Sequence, residues 1–157
     1  AVGDRVGFLG TNSGAYVEVF FGTCKAKAIY VGLNWRLSPP ELAFILNDAG
    51  VSIVFCDGQL KSMLNDLQPG VPSLRQIVAV DEPAYPAWRD SQATDDLRLD
   101  HDELDPVLQF YTSGTTGKPK GVVLSNRSMG THRHSEDHWG DWYLTSPGLA
   151  HGLHEKV

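Results

Sequence analysis

Residues 28–56 read A-I-Y-V-G-L-N-W-R-L-S-P-P-E-L-A-F-I-L-N-D-A-G-V-S-I-V-F-C, and this stretch decides the fold. Two apolar segments, Ala28–Leu33 and Val51–Cys56, have the length and the β-branched content of buried strands. Between them, Ser38 and Glu41 have the spacing of a helix-capping box, and the two prolines inside that box suit a first helical turn. A strand, a helix and a second strand in succession predict a β-α-β unit, and therefore a parallel sheet.

The same alternation continues on both sides of this unit. Arg5–Leu9 and Gln76–Val80 read as further strands, while Ala15–Cys24 and Gln59–Leu67 carry apolar residues at helical spacing. The chain is therefore predicted to be an α/β protein, a layered parallel-type sheet with flanking helices. In such sheets, ligands bind beyond the carboxyl ends of the strands.

A glycine-rich loop lies between two further predicted strands, Val107–Tyr111 and Val122–Leu124. Residues Tyr111–Gly121 read Y-T-S-G-T-T-G-K-P-K-G, with three glycines, four hydroxyl side chains between the tyrosine and Lys118, and no acidic residue. We expect the glycines to adopt positive φ where needed and to let backbone N–H groups approach an anion, while Lys118 and Lys120 supply charge. No Asp or Glu occurs from Pro106 to Ser135, so the local field favours an anion.

Two other kinds of loop share part of this composition. The P-loop of NTPases needs four residues between its first glycine and the Gly-Lys pair, followed by Ser or Thr. Here only Thr115 and Thr116 separate Gly114 from Gly117, and Pro119 follows the lysine. A plain flexible turn between strands is the other alternative, but it does not require this density of glycine, hydroxyl and lysine side chains.

The segment T-S-G-T-T-G-K-P-K-G-V-V-L-S-N resembles the signature loop of the adenylate-forming, or AMP-binding, superfamily. The resemblance extends upstream through G-D-R-V-G-F-L at Gly3–Leu9, F-F-G-T-C-K-A-K-A at Phe20–Ala28, and the segment Leu33–Gly50. It covers about the first 130 residues and is greatest to the N-terminal part of fatty-acyl-CoA synthetases. The resemblance implies that residues 1–157 are a partial AMP-binding N-terminal domain, with the family's small C-terminal lid domain absent.

The resemblance also implies a chemistry and a set of ligand-binding residues. In this family ATP, with Mg²⁺, converts a carboxylic acid to an acyl-adenylate, and a thiol such as that of coenzyme A then displaces AMP. Carried over residue by residue, the expected triphosphate contacts are Thr112, Ser113, Gly114, Thr115, Thr116 and Lys120. Thr112 is also expected to reach the magnesium ion. A fatty or aryl acid is the expected substrate, and no catalytic residue is identified.

Composition limits the remaining possibilities. The 157 residues are 41% hydrophobic and 20% charged, with a formal net charge of −6, which is typical of one globular domain and disfavours nucleic acid as a partner. No apolar run approaches the roughly 18 residues of a membrane span. Cys24 and Cys56 are isolated, which predicts reduced thiols and a cytoplasmic protein. Residues 81–105 hold nine acids and two arginines and are predicted to be a solvated acidic connector.

Several alternatives remain open at this level. The family's later segments, which bind magnesium and ribose and carry the catalytic lysine, have no match here. The chain could therefore be a non-catalytic nucleotide- or phosphate-binding module, or a truncated product that forms a homo-oligomer through open sheet edges. Five histidines, His132, His134, His138, His151 and His154, suggest either a metal site or solvated surface. By resemblance, His151 is also a candidate for the family's pocket histidine.

Overall fold

The computed structural model of the protein describes residues 2–95, 97, 99–112 and 118–129. Its elements, in chain order, are β1 (Arg5–Leu9), α1 (Gly14–Lys25), β2 (Ile29–Leu33), α2 (Pro39–Ala49), β3 (Val51–Cys56), α3 (Gly58–Leu67), a 3-10 turn (Gln68–Gly70), β4 (Gln76–Ala79), α4 (Tyr85–Asp90), β5 (Pro106–Thr112) and β6 (Lys120–Ser125). The predicted alternation of strands and helices is confirmed.

The six strands form one sheet in the order β4-β3-β1-β2-β5-β6. All neighbouring pairs among the first five strands are parallel, whereas β5 and β6 are antiparallel. The parallel part was predicted. The antiparallel pairing of β6 was not, and its physical reason is the short connection at 113–119, because a parallel return needs a crossover of a dozen or more residues.

Helices cover both faces of the parallel strands. Leu42, Ile45 and Leu46 of α2 pack with Leu64 of α3 on one face. On the other face, Val19 of α1 packs with core residues from β1, β2 and β5. The connections β1-α1-β2 and β3-α3-β4 run in opposite directions across the sheet, and right-handed crossovers then place α1 and α3 on opposite faces.

Capping contacts, among them the predicted capping box of α2, explain where the helices begin and end. Oγ of Ser13 accepts a hydrogen bond from the backbone N–H of Tyr16 at the start of α1. At α2, the Glu41 carboxylate accepts from the backbone N–H and the hydroxyl of Ser38, at 2.9 and 2.5 Å. Gly50 ends α2 in the left-handed conformation, with φ 68°. These local contacts hold α2 in place between two strands.

In its described residues, 81–95, 97 and 99–105, the acidic segment is more structured than a solvated connector. It contains α4, in which Tyr85 is buried and stacks on Trp88, and Trp88 also packs edge-on against Phe55 of the sheet. Its acids make specific contacts, including the Lys61–Glu82 ion pair at 2.7 Å. The surface-charge interpretation of this segment is therefore incomplete. Within the described residues, no helix has the length and the apolar character that crossing a bilayer requires.

Candidate functional site

The signature loop joins β5 to β6 at the carboxyl edge of the parallel strands. β5 ends at Thr112 and β6 begins at Lys120, and these two residues are direct cross-strand partners. Both side chains are exposed. Ser113, Gly114, Thr115 and Thr116, the other predicted phosphate contacts, lie outside the described residues. The fold thus brings the first and the last residue of the predicted set together at the edge where ligands bind in such sheets.

Lys118 is the second cation of the loop, and it contacts helix α2. Its Nζ lies 6.0 Å from the centroid of the Phe44 ring, at the outer limit of a cation–π contact. The lysine itself is exposed. Lys120 has no ion pair among the residues that the structure describes. Lys118 has none there either, so neither loop cation has its charge neutralised by a carboxylate of the described residues.

A chain of hydrogen-bonded polar side chains lies where β5 leads into the loop. The hydroxyl of Tyr111, the residue before Thr112, donates to Oδ2 of Asp48 at 2.6 Å and accepts from Nε2 of Gln109 at 3.0 Å. Oε1 of Gln109, which is buried, accepts from Nε of Arg5 at 3.2 Å. Burial, followed by the hydrogen bond and the charge of Asp48, raises the pKa of Tyr111 above its ordinary range. Its hydroxyl is thus a donor at neutral pH.

Sequence reasoning missed this network. Asp48 lies 63 residues from Tyr111, so no local pattern links the two. The absence of acids between Pro106 and Ser135 also concealed that a carboxylate from α2 approaches the base of the loop. The sequence did contain one signal. Gln109 is a polar residue within a predicted buried strand, and a buried polar side chain requires a hydrogen-bond partner.

The last glycine of the motif acts differently from the prediction. Gly121 was expected to provide a positive φ, but positive φ among the described glycines is confined to Gly3 and Gly50. A Cβ at Gly121 would instead lie 2.8 Å from Nε2 of Gln109 and 3.1 Å from Cζ of Tyr111. Gly121 is therefore needed for space: it lets the Tyr111 ring lie across β6. Gly114 and Gly117 lie outside the described residues.

A second opening lies at the same edge, two strands away from the loop. It is a crevice of about 470 Å³ between the ends of β1 and β3, where the strand order reverses. Its main acid, Asp57, accepts hydrogen bonds from the backbone N–H and the hydroxyl of Thr11, at 2.9 and 3.1 Å. Oδ1 of Asp81 accepts from the backbone N–H of Gly58. These carboxylates hold the loops that follow β1 and β3.

A further cavity lies away from the signature loop. It encloses about 760 Å³ between α1, α4 and the sheet, and Val19, Phe55 and Trp88 are part of its mostly apolar lining. Its one guanidinium, that of Arg89, is paired with Glu18 at 3.3 Å. This cavity offers volume without a set of groups that could carry out phosphoryl or acyl transfer.

Thiol and metal chemistry find little support in the described residues. Burial raises the pKa of the Cys56 thiol to about 12 and also raises that of Cys24, so both are protonated at neutral pH. No group of His, Cys, Asp and Glu side chains suited to a metal ion is found in 2–95, 97, 99–112 and 118–129. The five clustered histidines, His151 included, fall outside these ranges, so the prediction about them stays a prediction.

Comparisons with known proteins agree with this geometry. Residues 1–154 match the family model described as AMP-binding enzyme. The fatty acid–[acyl-carrier-protein] ligase ScoC of Streptomyces coeruleorubidus is 42% identical over 130 residues, which are 82% of this chain and 24% of ScoC. The feruloyl-CoA synthase of an Amycolatopsis species is 37% identical over 131 residues, 81% of this chain and 24% of the synthase.

A solved structure is also similar. The inhibitor-bound N-terminal domain of FACL13 from Mycobacterium tuberculosis superposes with a TM-score of 0.72 at 31% identity, covering 80% of this chain and 32% of that domain. The chain spans about a quarter of the length of the curated relatives it matches. With its fold, its signature loop and the family match all in agreement, this chain belongs to the AMP-binding enzyme family of adenylate-forming ligases.

Proposed function

We propose that this chain supplies the triphosphate-holding part of an ATP-dependent ligase that activates a carboxylic acid as an acyl-adenylate. The observation that carries the proposal is the pairing of Thr112 with Lys120 at the carboxyl edge of the sheet, where they flank the glycine- and hydroxyl-rich loop. Both side chains are exposed there, and the fold holds their backbones in adjacent strands. In our proposal, a hydroxyl donor and an ammonium are thereby available at the two ends of one loop.

The chemistry of acid activation explains why such a loop is useful. When a carboxylate attacks the α-phosphorus of ATP, negative charge grows on the departing pyrophosphate. Donors that are already in position stabilise that charge without having to reorganise during the reaction. In our proposal Lys120 supplies the cation, and Thr112, Ser113, Gly114, Thr115 and Thr116 supply hydroxyl and backbone donors.

Magnesium fits the described end of this loop by donor type. The hydroxyl of Thr112 is an exposed oxygen next to the proposed phosphate contacts, and Mg²⁺ prefers oxygen ligands and binds largely through substrate phosphates. When bound, the ion neutralises charge on the phosphates. The contribution of this chain is to hold the hydroxyl of Thr112 at the end of β5.

The names of the relatives suggest the acid and the acceptor. ScoC is a fatty acid–[acyl-carrier-protein] ligase and the Amycolatopsis relative is a feruloyl-CoA synthase. We therefore propose a fatty or aryl acid as substrate, with the thiol of coenzyme A as acceptor. The phosphopantetheine thiol of a carrier protein is the competing acceptor, and it performs the same thioester chemistry.

The test is exchange of labelled pyrophosphate into ATP, with the full reading frame that carries this sequence. We expect exchange that depends on an added acid, with dodecanoate and ferulate as two separate arms and a reaction without acid as the control. Coenzyme A and a phosphopantetheinylated carrier protein, added singly, then identify the acceptor. ATP binding without acid-dependent exchange would instead support a non-catalytic nucleotide-binding module, and failure to bind ATP at all would overturn the proposal.

A further inference from the structure

Tyr111 occupies the position at which β5 enters the signature loop, and three neighbours fix its side chain. Its hydroxyl donates to Asp48 Oδ2 at 2.6 Å and accepts from Gln109 Nε2 at 3.0 Å. The ring lies across Gly121, its cross-strand partner in β6, where any Cβ would approach Cζ and the hydroxyl to 3.1 and 3.2 Å. The side chain that precedes Thr112 is therefore held from α2, from its own strand and from β6.

The hydrogen bonds continue into the core of the sheet. Gln109 is buried, and its side-chain oxygen accepts from Nε of Arg5 in β1. Gln109 thus connects Arg5 to Tyr111. Its side-chain oxygen accepts from Arg5, and its side-chain nitrogen donates to the hydroxyl of Tyr111. Because buried polar groups that lose a partner are costly, these side chains are constrained as a group.

Helix α2 contacts both arms of the hairpin. Asp48 binds the hydroxyl of Tyr111 in the β5 arm, and the Phe44 ring lies under Nζ of Lys118 near the start of the β6 arm. Phe44 and Asp48 are four residues apart, so they share one face of the helix. One face of α2 therefore contacts the chain just before and just after residues 113–117.

We propose that Tyr111 is a positioning residue for the signature loop, held in place by Asp48 of α2. The proposal rests on the proposed function, because it concerns the loop that we assign to the triphosphate. Tyr111 acts on the ligand through the backbone of Thr112, which it precedes, while its own hydroxyl is fully engaged with Asp48 and Gln109. Removing that hydroxyl should loosen the loop and leave the rest of the sheet unchanged.

The experiment compares Tyr111→Phe with Tyr30→Phe in the full reading frame. Both variants lose one tyrosine hydroxyl, but that of Tyr30 is buried beside Tyr16 of α1 and contacts neither Asp48 nor Gln109. Hydrogen–deuterium exchange of the peptide that spans residues 112–121 measures the loop directly. The KM for ATP and the KM for the acid, both from pyrophosphate exchange, measure its consequence for binding.

In Tyr111→Phe we expect the amides of residues 112–121 to exchange about tenfold faster and the KM for ATP to rise about tenfold, the effect of losing a hydrogen bond to a charged group. The KM for the acid and the exchange of β1 and β3 amides should stay within about twofold of the wild type. Tyr30→Phe should match the wild type in all of these measurements. The conservative variant Asp48→Asn, which keeps an oxygen acceptor for the tyrosine, should fall between the two.

Equal amide exchange of residues 112–121 in Tyr111→Phe and Tyr30→Phe would overturn the proposal. So would equal rises of the KM for ATP and the KM for the acid in Tyr111→Phe. If Tyr111→Phe does not fold, the same measurements on Asp48→Asn decide the question. Asp48 is exposed at the end of α2, and its substitution by asparagine preserves the shape of the side chain. A wild type that exchanges no pyrophosphate refutes the proposed function. Amide exchange still decides in that case whether Tyr111 holds the loop.

Discussion

The two halves of this sheet differ in what their side chains do. In the half made of β4, β3, β1 and β2, helices cover both faces, and Leu9, Val31, Val51 and Val54 are completely buried. In the β5–β6 hairpin, Phe110, Val122 and Val123 are 42%, 44% and 48% exposed. Both of the described residues that we assign to the triphosphate, Thr112 and Lys120, are in the hairpin, whereas all buried hydrophobic residues of the described chain except Val107 and Leu108 lie outside it.

This difference separates stability from ligand binding within one sheet. The free energy of folding comes largely from burying apolar surface, so it should depend on the helix-covered half. Binding of an anion depends on exposed donors and charge, so it should depend on the hairpin. Substitutions in the two halves are therefore expected to affect different measurements, and each of the following variants tests that separation.

The largest effect on stability is expected from Leu46→Ala in α2. Leu46 is completely buried in the core between α2, α3 and the sheet, and its truncation should lower the free energy of unfolding by about 3 kcal/mol. The matched control is Val123→Ala on the exposed hairpin, which should cost less than about 0.5 kcal/mol. Urea denaturation measures both. Equal losses would show that the hairpin contributes to the core as strongly as α2 does.

Next in size is the effect of Lys120→Ala on catalysis. Removing the exposed ammonium should lower pyrophosphate exchange about 100-fold in the full reading frame, because the departing pyrophosphate loses a charged donor. The free energy of unfolding should change by less than about 0.5 kcal/mol. Lys118→Ala is the control, with a change in exchange of about threefold or less, since that lysine contacts the ring of Phe44. A stronger effect of Lys118→Ala would reverse the assignment of the two lysines.

Gly121→Ala should affect both stability and ATP binding. Its Cβ would displace Gln109 and Tyr111, at a cost of about 1.5 kcal/mol in unfolding free energy together with a raised KM for ATP. Gly22→Ala is the matched control: it lies inside α1 with open space where its Cβ would be, so it should stabilise the fold by about 0.5–1 kcal/mol. Thermal melts and KM measurements on both variants would check these signs.

The smallest effect is expected at the capping box of α2. Ser38→Ala removes the hydroxyl that donates to Glu41 and should lower the melting temperature at pH 7 by a few degrees. The hydrogen bonds from Ser38 hold the pKa of Glu41 below its ordinary value. This contribution to stability is therefore complete above the unfolded-state pKa and disappears as the pH falls through the folded-state pKa. Melts at pH 7 and pH 3 should show a smaller difference between variant and wild type at pH 3.

The fold could be predicted because its signals are local. The spacing of Ser38 and Glu41 and the apolar strand lengths each act within a few residues, and the structure confirms both. Helix α4 was not predicted, since it has six residues and is surrounded by acidic residues. It forms because Tyr85 packs on Trp88 and Trp88 packs on Phe55, and that tertiary contact leaves no periodic pattern in the sequence.

The candidate site was predicted only in part, for the same reason. The motif pointed to Thr112 and Lys120, and the structure makes them cross-strand partners. The support of Tyr111 by Asp48 was not predictable, because it depends on α2 and β5 meeting in the folded sheet. The role of Gly121 was misassigned because a glycine in a motif can provide either a positive φ or space, and sequence does not distinguish the two.

The contact between residues 48 and 111 has a consequence for protein engineering. A graft of the nine residues from Thr112 to Lys120 onto another α/β scaffold would carry the donors but leave behind the helix that orients them. Chimaeras that exchange substrate specificity should therefore place their junctions so that α2 and the hairpin come from the same parent. A junction between α2 and the hairpin would combine the loop of one parent with the helix of the other.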